Sequence, residues 1–191
     1  LLLPEYTRMI PPRREFLKTT AAAAATMLTT APGSAAGQRD DNSLRIGVIG
    51  CGGMGSSHLR TLSKRREEQI VWVCDVDSEK LAAAVKIVLD GSGKEPQTSG
   101  DLRKVLDDQS VDAVFIATPD HWHTPAAILA LDAGKHVYVE KPCCHNIREG
   151  RLLAEAVERS GKRLQVGTQS RSTSCVQEGI KRIRNGEIGE I

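Results

Sequence analysis

Ile46-Gly47-Val48-Ile49-Gly50-Cys51-Gly52-Gly53-Met54-Gly55 decides how this chain is read. An apolar β-run passes at once into G-x-G-x-x-G, carried by Gly50, Gly52 and Gly55, with Gly53 and Met54 completing the loop. This pattern suits a strand that turns tightly into a helix whose N-terminus faces a phosphate. Gly50 makes the turn, Gly52 lets backbone approach a pyrophosphate, and Gly55 lets the helix lie close to the sheet. Glycine-rich turns are common, so the flanks must carry the rest.

Outward from the turn, strands and helices alternate. Leu44 to Ile49 reads as a strand, and Gly53 to Ser63 as its helix, with Met54, Leu59 and Leu62 turned inward. Gln69 to Cys74 is a continuous apolar run, as a strand buried on both faces should be. Ser78 is read as the cap of a helix from Glu79 to Leu89. Gly91 to Gly100 is a loop that leaves room for a short third strand. Asp101 caps a short helix carrying Leu102, Val105 and Leu106. Val111 to Ala117 is the next strand, and Thr124-Pro125 opens a helix over Ala126 to Ala133 that Gly134 stops. His136 to Val139, a helix from Ile147 to Ser160 capped by Asn146, Leu164 to Val166, and a helix from Ser174 to Arg184 follow. This order predicts an α/β doubly wound parallel sheet, a Rossmann fold, over 44–168.

Asp75 lies twenty residues after Gly55, at the end of the second strand. In this fold that position places a carboxylate on the adenosine ribose, where it accepts from the hydroxyls and repels a 2′-phosphate. NAD is therefore expected over NADP. No G-x-x-x-x-G-K-[ST] is present, which disfavours a phosphotransferase. Three further segments end at the same sheet edge: Thr118-Pro119-Asp120-His121-Trp122-His123, Glu140-Lys141-Pro142, and Gly167-Thr168-Gln169. His121 and His123 form an H-x-H pair without a third metal ligand at suitable spacing, so no metal is expected. His121 also reads as an ordinary polar loop residue. Lys141, partly desolvated beside a cationic nicotinamide, should titrate low enough to move a proton. On spacing alone, Glu140-Lys141-Pro142 reads equally well as a strand terminator.

R-I-G-V-I-G-C-G-G-M-G, A-T-P-D-H-W-H-T-P, G-K-H-V-Y-V-E-K-P and the later G-T-Q together resemble the glucose–fructose oxidoreductase/inositol dehydrogenase (Gfo/Idh/MocA) family, over about Leu44 to Ile191. The resemblance implies an NAD-binding Rossmann domain followed by an α/β domain that holds a sugar or cyclitol. It implies Lys141 as the substrate-contacting catalytic residue. Thr118, Pro119, His121 and Glu140 would line the nicotinamide side, with Gln169 nearby. Residues 169–191 would begin the second domain, which is expected to be truncated here. A sugar or polyol substrate, and a homo-oligomer for the full-length protein, follow from the same likeness. An NAD-dependent glycoside hydrolase and a non-catalytic nucleotide-binding module share these motifs and stay open.

Residues 1–36 read as an address. Arg13-Arg14 with Phe16-Leu17-Lys18, an alanine-rich run and Ser34-Ala35-Ala36 resemble a twin-arginine export signal, with Met9 as candidate start and Pro12 as a departure from the pattern. The alternative is an alanine-rich helix with a basic turn. The run is too weakly apolar for a stable membrane span. Residues 37–43 form a polar linker. Arg8, Arg13, Arg14 and Lys18 fall in the address, and the whole chain carries a formal charge of only +2, so no basic face for DNA is implied. Aromatic content of 3% argues against base-stacking modules for nucleic acid. Cys51, Cys74, Cys143, Cys144 and Cys175 are odd in number without C-x-x-C spacing, and read as small buried hydrophobes.

Overall fold

β1 (Leu44–Ile49) is flanked on both sides by parallel partners, β2 (Glu68–Cys74) and β4 (Ala113–Ile116). A strand so placed has no edge, and its last four residues are buried. The full sheet runs β3-β2-β1-β4-β5-β6, all parallel, with β3 at Gln97–Ser99, β5 at His136–Val139 and β6 at Leu164–Val166. A computed structural model gives this architecture and describes residues 43–187 and Gly189. Residues 1–36, read above as an address, and most of the linker lie outside the described residues, as does most of the terminal Ile188–Ile191 stretch.

Residues of the central strands β1, β2 and β4 feed two separate cores, one on each face of the sheet, which is why their runs look continuously apolar. Ile46, Val48, Ile70 and Val73 pack with Leu59 and Leu62 of α1 (Gly53–Leu62) and with Ala84 and Val88 of α2 (Ser78–Ser92). Ile49, Val71, Trp72 and Val114 pack on the opposite side. Their partners there include Val105 of α3 (Leu102–Asp107), Ala126, Ala127 and Ala130 of α4 (His123–Asp132), and Leu153 and Ala156 of α5 (Ile147–Ser160). The alanines bring α4 close to the sheet. Each fully buried Val, Leu or Ile contributes about 1.5–3 kcal/mol.

Several expected boundaries move, each for a local reason. Asp77, not Ser78, caps α2: its carboxylate accepts from the N–H groups of Glu79 and Lys80. An aspartate offers a charged acceptor to the positive end of the helix, which a serine cannot match. The same helix runs on to Ser92 and stops at Gly93 in the left-handed region. Gly91 is accommodated inside it against Ser63, whose hydroxyl a Cβ at that position would overlap. The fourth strand is shorter than expected, and α4 begins earlier, at His123, after a 3₁₀ turn over Asp120–Trp122. Met54 is exposed rather than turned inward, and so is Cys175, whereas Cys51 and Cys74 are buried. α6 (Ser174–Arg184) carries its apolar stripe of Val176, Ile180 and Ile183 exposed. Among the described residues no helix is long and apolar enough to cross a membrane.

Candidate functional site

The glycine turn is built by backbone contact. Gly50 has φ +88°, and a side chain there would stand 2.6 Å from the backbone carbon of Ala117 at the end of β4. A Cβ on Gly55 would overlap the carbonyl oxygen of Gly50, so α1 can leave the turn only with glycine at that position. Gly52, by contrast, has nothing within 4 Å of a would-be Cβ. It stands at the N-cap of α1 with no side chain capping the helix, and no acidic residue occupies the first turn. Gly53 and Met54 are exposed beside it. The positive end of α1 is therefore left open and uncompensated, as an anion site requires.

Asp75 completes this edge. One carboxylate oxygen accepts the Cys51 N–H at 2.7 Å, and the other accepts the Asp77 N–H at 3.0 Å. Gly50 N–H donates to the Cys74 carbonyl at 2.8 Å, and Ser56 hydroxyl to the Cys51 carbonyl at 2.8 Å. The turn and the acid thus form one hydrogen-bonded unit. Burial, with the Asp75 charge adding to it, pushes the Cys51 thiol up to about 12 and the Cys74 thiol up to about 11. Neither is a nucleophile near neutral pH. These residues fit a dinucleotide: an open helix end for the diphosphate and a fixed carboxylate for the ribose.

The other wall comes from the ends of β4, β5 and β6. Thr118 hydroxyl is buried with no hydrogen-bond partner among the described residues, a donor and acceptor left for something outside the protein chain. Pro119 is exposed, and the 3₁₀ turn after it carries His121 to the surface. Asp120 stands 3.7 Å from His121 and 3.4 Å from His145, and its carboxyl is held low by the His121 backbone N–H and by His145. Glu140 is buried, and Nε2 of His58 on α1 stands 2.7 Å from its carboxylate. The Lys141 backbone N–H reaches the other Glu140 oxygen at 3.3 Å. Lys141 itself is exposed, so any desolvation of its amine must come from bound molecules. The Tyr138 hydroxyl donates to Gln169 at 3.1 Å, and its ring stacks on Phe115 at 4.6 Å. Burial and the Glu140 carboxylate raise the Tyr138 hydroxyl. Gly167 seals the group: a Cβ there would stand 2.9 Å from both Glu140 and Tyr138.

The structure thus joins Gly50, Gly52, Gly53, Met54, Gly55 and Asp75 at one turn. It ties Glu140 to the backbone of Lys141 and leaves the side chains of Lys141, His121 and Gln169 toward solvent. His121 and His123 do not converge as a metal pair. His123 is buried, with its ring nitrogens at 2.6 Å and 2.8 Å from the carbonyls of Pro142 and Thr118. Among the described residues no group of three or more His, Cys, Asp or Glu could hold a metal. Sequence reasoning missed His58, because its partner lies 82 residues away and nothing local marks it. It also missed His123 and Thr124 as structural donors. Their one signal is a polar pair opening a helix that is apolar from Pro125 to Leu131.

Known proteins resemble this arrangement. Inositol 2-dehydrogenase of Salmonella paratyphi B is 31% identical over 150 residues, covering 78% of this chain and 44% of that protein. An alpha-N-acetylgalactosaminidase of Tannerella forsythia is 30% identical over 171 residues, covering 84% of this chain and 36% of that protein. Among solved structures, the WlbA dehydrogenase of Bordetella pertussis, in complex with NADH and UDP-GlcNAcA, superposes with a TM-score of 0.66 at 30% identity. That match covers 75% of this chain and 42% of the other. The chain spans less than half the length of each. The family model described as an oxidoreductase family with an NAD-binding Rossmann fold matches residues 44–168. With the glycine turn, Asp75 and the parallel sheet all in place, this chain belongs to the Gfo/Idh/MocA oxidoreductase family.

Proposed function

We propose that the whole protein is an NAD-dependent oxidoreductase acting on a sugar or polyol. The observation that carries this reading is the Asp75 carboxylate, pinned by the Cys51 N–H beside an open helix N-terminus. Asp75 would accept from the ribose hydroxyls and disfavour a 2′-phosphate, hence NAD rather than NADP. The N–H groups of α1 would face the diphosphate. When bound, the nicotinamide supplies a hydride acceptor. Lys141, at the end of β5, would take the proton from the substrate hydroxyl. Glu140, fixed by His58, holds the Lys141 backbone. The inositol and nucleotide-sugar substrates implied by the names of the relatives support a polyhydroxylated substrate.

Lys141→Ala in the full-length protein tests this. The variant should bind NADH as before while turnover falls by about 10²- to 10⁴-fold, the range typical of a lost proton-transfer group. Near-normal turnover would sink the lysine assignment.

A second reading, a redox-neutral NAD-dependent glycosidase, is favoured by the likeness to the alpha-N-acetylgalactosaminidase. Supplying an aryl glycoside separates the two: nitrophenol release without NADH accumulation marks the hydrolase, and NADH accumulation on a free polyol marks the dehydrogenase. If both fail with NAD bound, the chain serves as a nucleotide-binding module. Residues 1–36 are proposed to direct export by the twin-arginine route. Replacing Arg13-Arg14 with Lys-Lys should strand the protein in the cytoplasm, and an unchanged periplasmic fraction would refute export by this signal.

A further inference from the structure

Beyond the last ladder bond of β4 and β5, Glu140 N–H to the Ile116 carbonyl, the two strand ends part. One continues through Thr118-Pro119 into the 3₁₀ turn. The other continues through Lys141-Pro142 toward α5. Both segments belong to the wall that faces the nicotinamide half in the dinucleotide reading above, on which this inference rests. Nothing in the sheet itself fixes their separation. Pro142 has no N–H to offer, so its own backbone can be tied only through its carbonyl.

The first turn of α4 supplies the ties. The His123 ring lies between the segments, 2.6 Å from the Pro142 carbonyl through Nδ1 and 2.8 Å from the Thr118 carbonyl through Nε2. A carbonyl accepts and never donates, and a neutral imidazole carries one N–H, so the ring donates to one of the two carbonyls and stands in contact with the other. The adjacent Thr124 hydroxyl donates to the Cys143 carbonyl at 3.0 Å. Both side chains are almost fully buried, at 3% and 2% exposure, where water does not compete for these bonds. The carbonyl of Thr118 therefore faces the His123 ring, while its hydroxyl is buried without a partner among the described residues.

We propose that His123 and Thr124 are positioning residues for the nicotinamide half of the dinucleotide: by clamping the Thr118 and Pro142-Cys143 carbonyls, they set the width of its wall and present the Thr118 hydroxyl. Their hydrogen bonds go to Thr118, Pro142 and Cys143 rather than to the diphosphate turn or Asp75, so their effect should fall chiefly on one half of the ligand.

Calorimetric titration of the chain with NAD and, separately, with ADP-ribose tests this. ADP-ribose keeps the diphosphate and both riboses but lacks the nicotinamide. The wild-type chain should bind NAD more tightly than ADP-ribose. His123→Ala should weaken NAD by about tenfold, one to two lost hydrogen bonds' worth, and leave ADP-ribose within about twofold. His123→Asn, which keeps one donor, should recover part of the loss. Thr124→Val keeps the shape and removes one donor, and should shift NAD in the same direction by a smaller factor. If His123→Ala fails to fold, Thr124→Val decides. An equal loss for both ligands, or no loss for either, overturns the proposal. So does a wild-type chain that binds both equally. A wild-type chain that binds neither overturns the dinucleotide reading itself.

Discussion

Asp75 and Cys51 are bound to each other: the carboxylate at the end of β2 accepts the N–H of the second residue of the glycine turn at 2.7 Å. The acid therefore both shapes the turn and faces whatever the turn holds. Asp75→Asn keeps an acceptor oxygen of the same size and removes the charge. It should weaken NADH by about tenfold and weaken NADPH less, narrowing the ratio between them. Fluorescence titration with the two reduced cofactors checks this, and an unchanged ratio would show that the charge does not select.

Gly50 and Gly55 are expected to be intolerant in a way their neighbour is not. Gly50→Ala forces a side chain into a left-handed backbone and against Ala117, and should cost about 1–3 kcal/mol or more. Gly55→Ala meets the Gly50 carbonyl and should cost at least as much. Gly53→Ala has nothing within 4 Å to strike, and alanine is the better helix former. It should stabilise the chain by up to about 1 kcal/mol. Urea denaturation of the three variants gives the order directly.

His58 and Glu140 form the closest side-chain pair across the site, at 2.7 Å with side chains 16% and 5% exposed. Removing either partner takes this contact from the other in a largely buried place. His58→Ala and Glu140→Ala should each cost about 2–3 kcal/mol, and the double variant clearly less than their sum. Strict additivity in that cycle would mean that the two side chains act independently.

The buried thiols give the chain an alkaline weakness. In the folded state Cys51 titrates near 12 and Cys74 near 11, against 9.0 for an ordinary thiol. The raised values mean that folding is favoured while the thiols stay protonated. That contribution is whole below pH 9 and is lost as pH climbs through 11 and 12, because the unfolded chain gives up these protons first. Melting temperature should fall across that window. Near neutral pH a thiol alkylator should react with exposed Cys175 well before either buried thiol. Mass mapping of the modified cysteines tests the order.

Much of this was legible in the residues because burial on both faces writes itself as an unbroken apolar run. β1, β5 and β6 begin and end where the sequence places them, and Asn146 and Gly161 bound α5 as expected. β3 was nearly invisible, since Gln97-Thr98-Ser99 joins the edge through backbone bonds and needs no apolar side chains. Asp77 and Ser78 are both good caps, and only the fold decides which one faces the free N–H groups. The site divides in the same way. The turn and Asp75 are a local pattern at fixed spacing. The contacts of His58 with Glu140, and of His123 with Pro142, depend on how separate βα units meet, and no short window of sequence contains them.

The central place of β1 has a bearing on synthesis. The turn after it emerges early from the ribosome, yet every wall it leans on comes later: Cys74 and Asp75 from β2, then Ala117 from the end of β4. Because strands are made in one order and stacked in another, the cradle stays unfinished until both flanking strands have docked. A nascent chain should therefore acquire its grip on a dinucleotide abruptly, only after the residues around 117 have cleared the exit tunnel, rather than gradually from the moment its glycines appear.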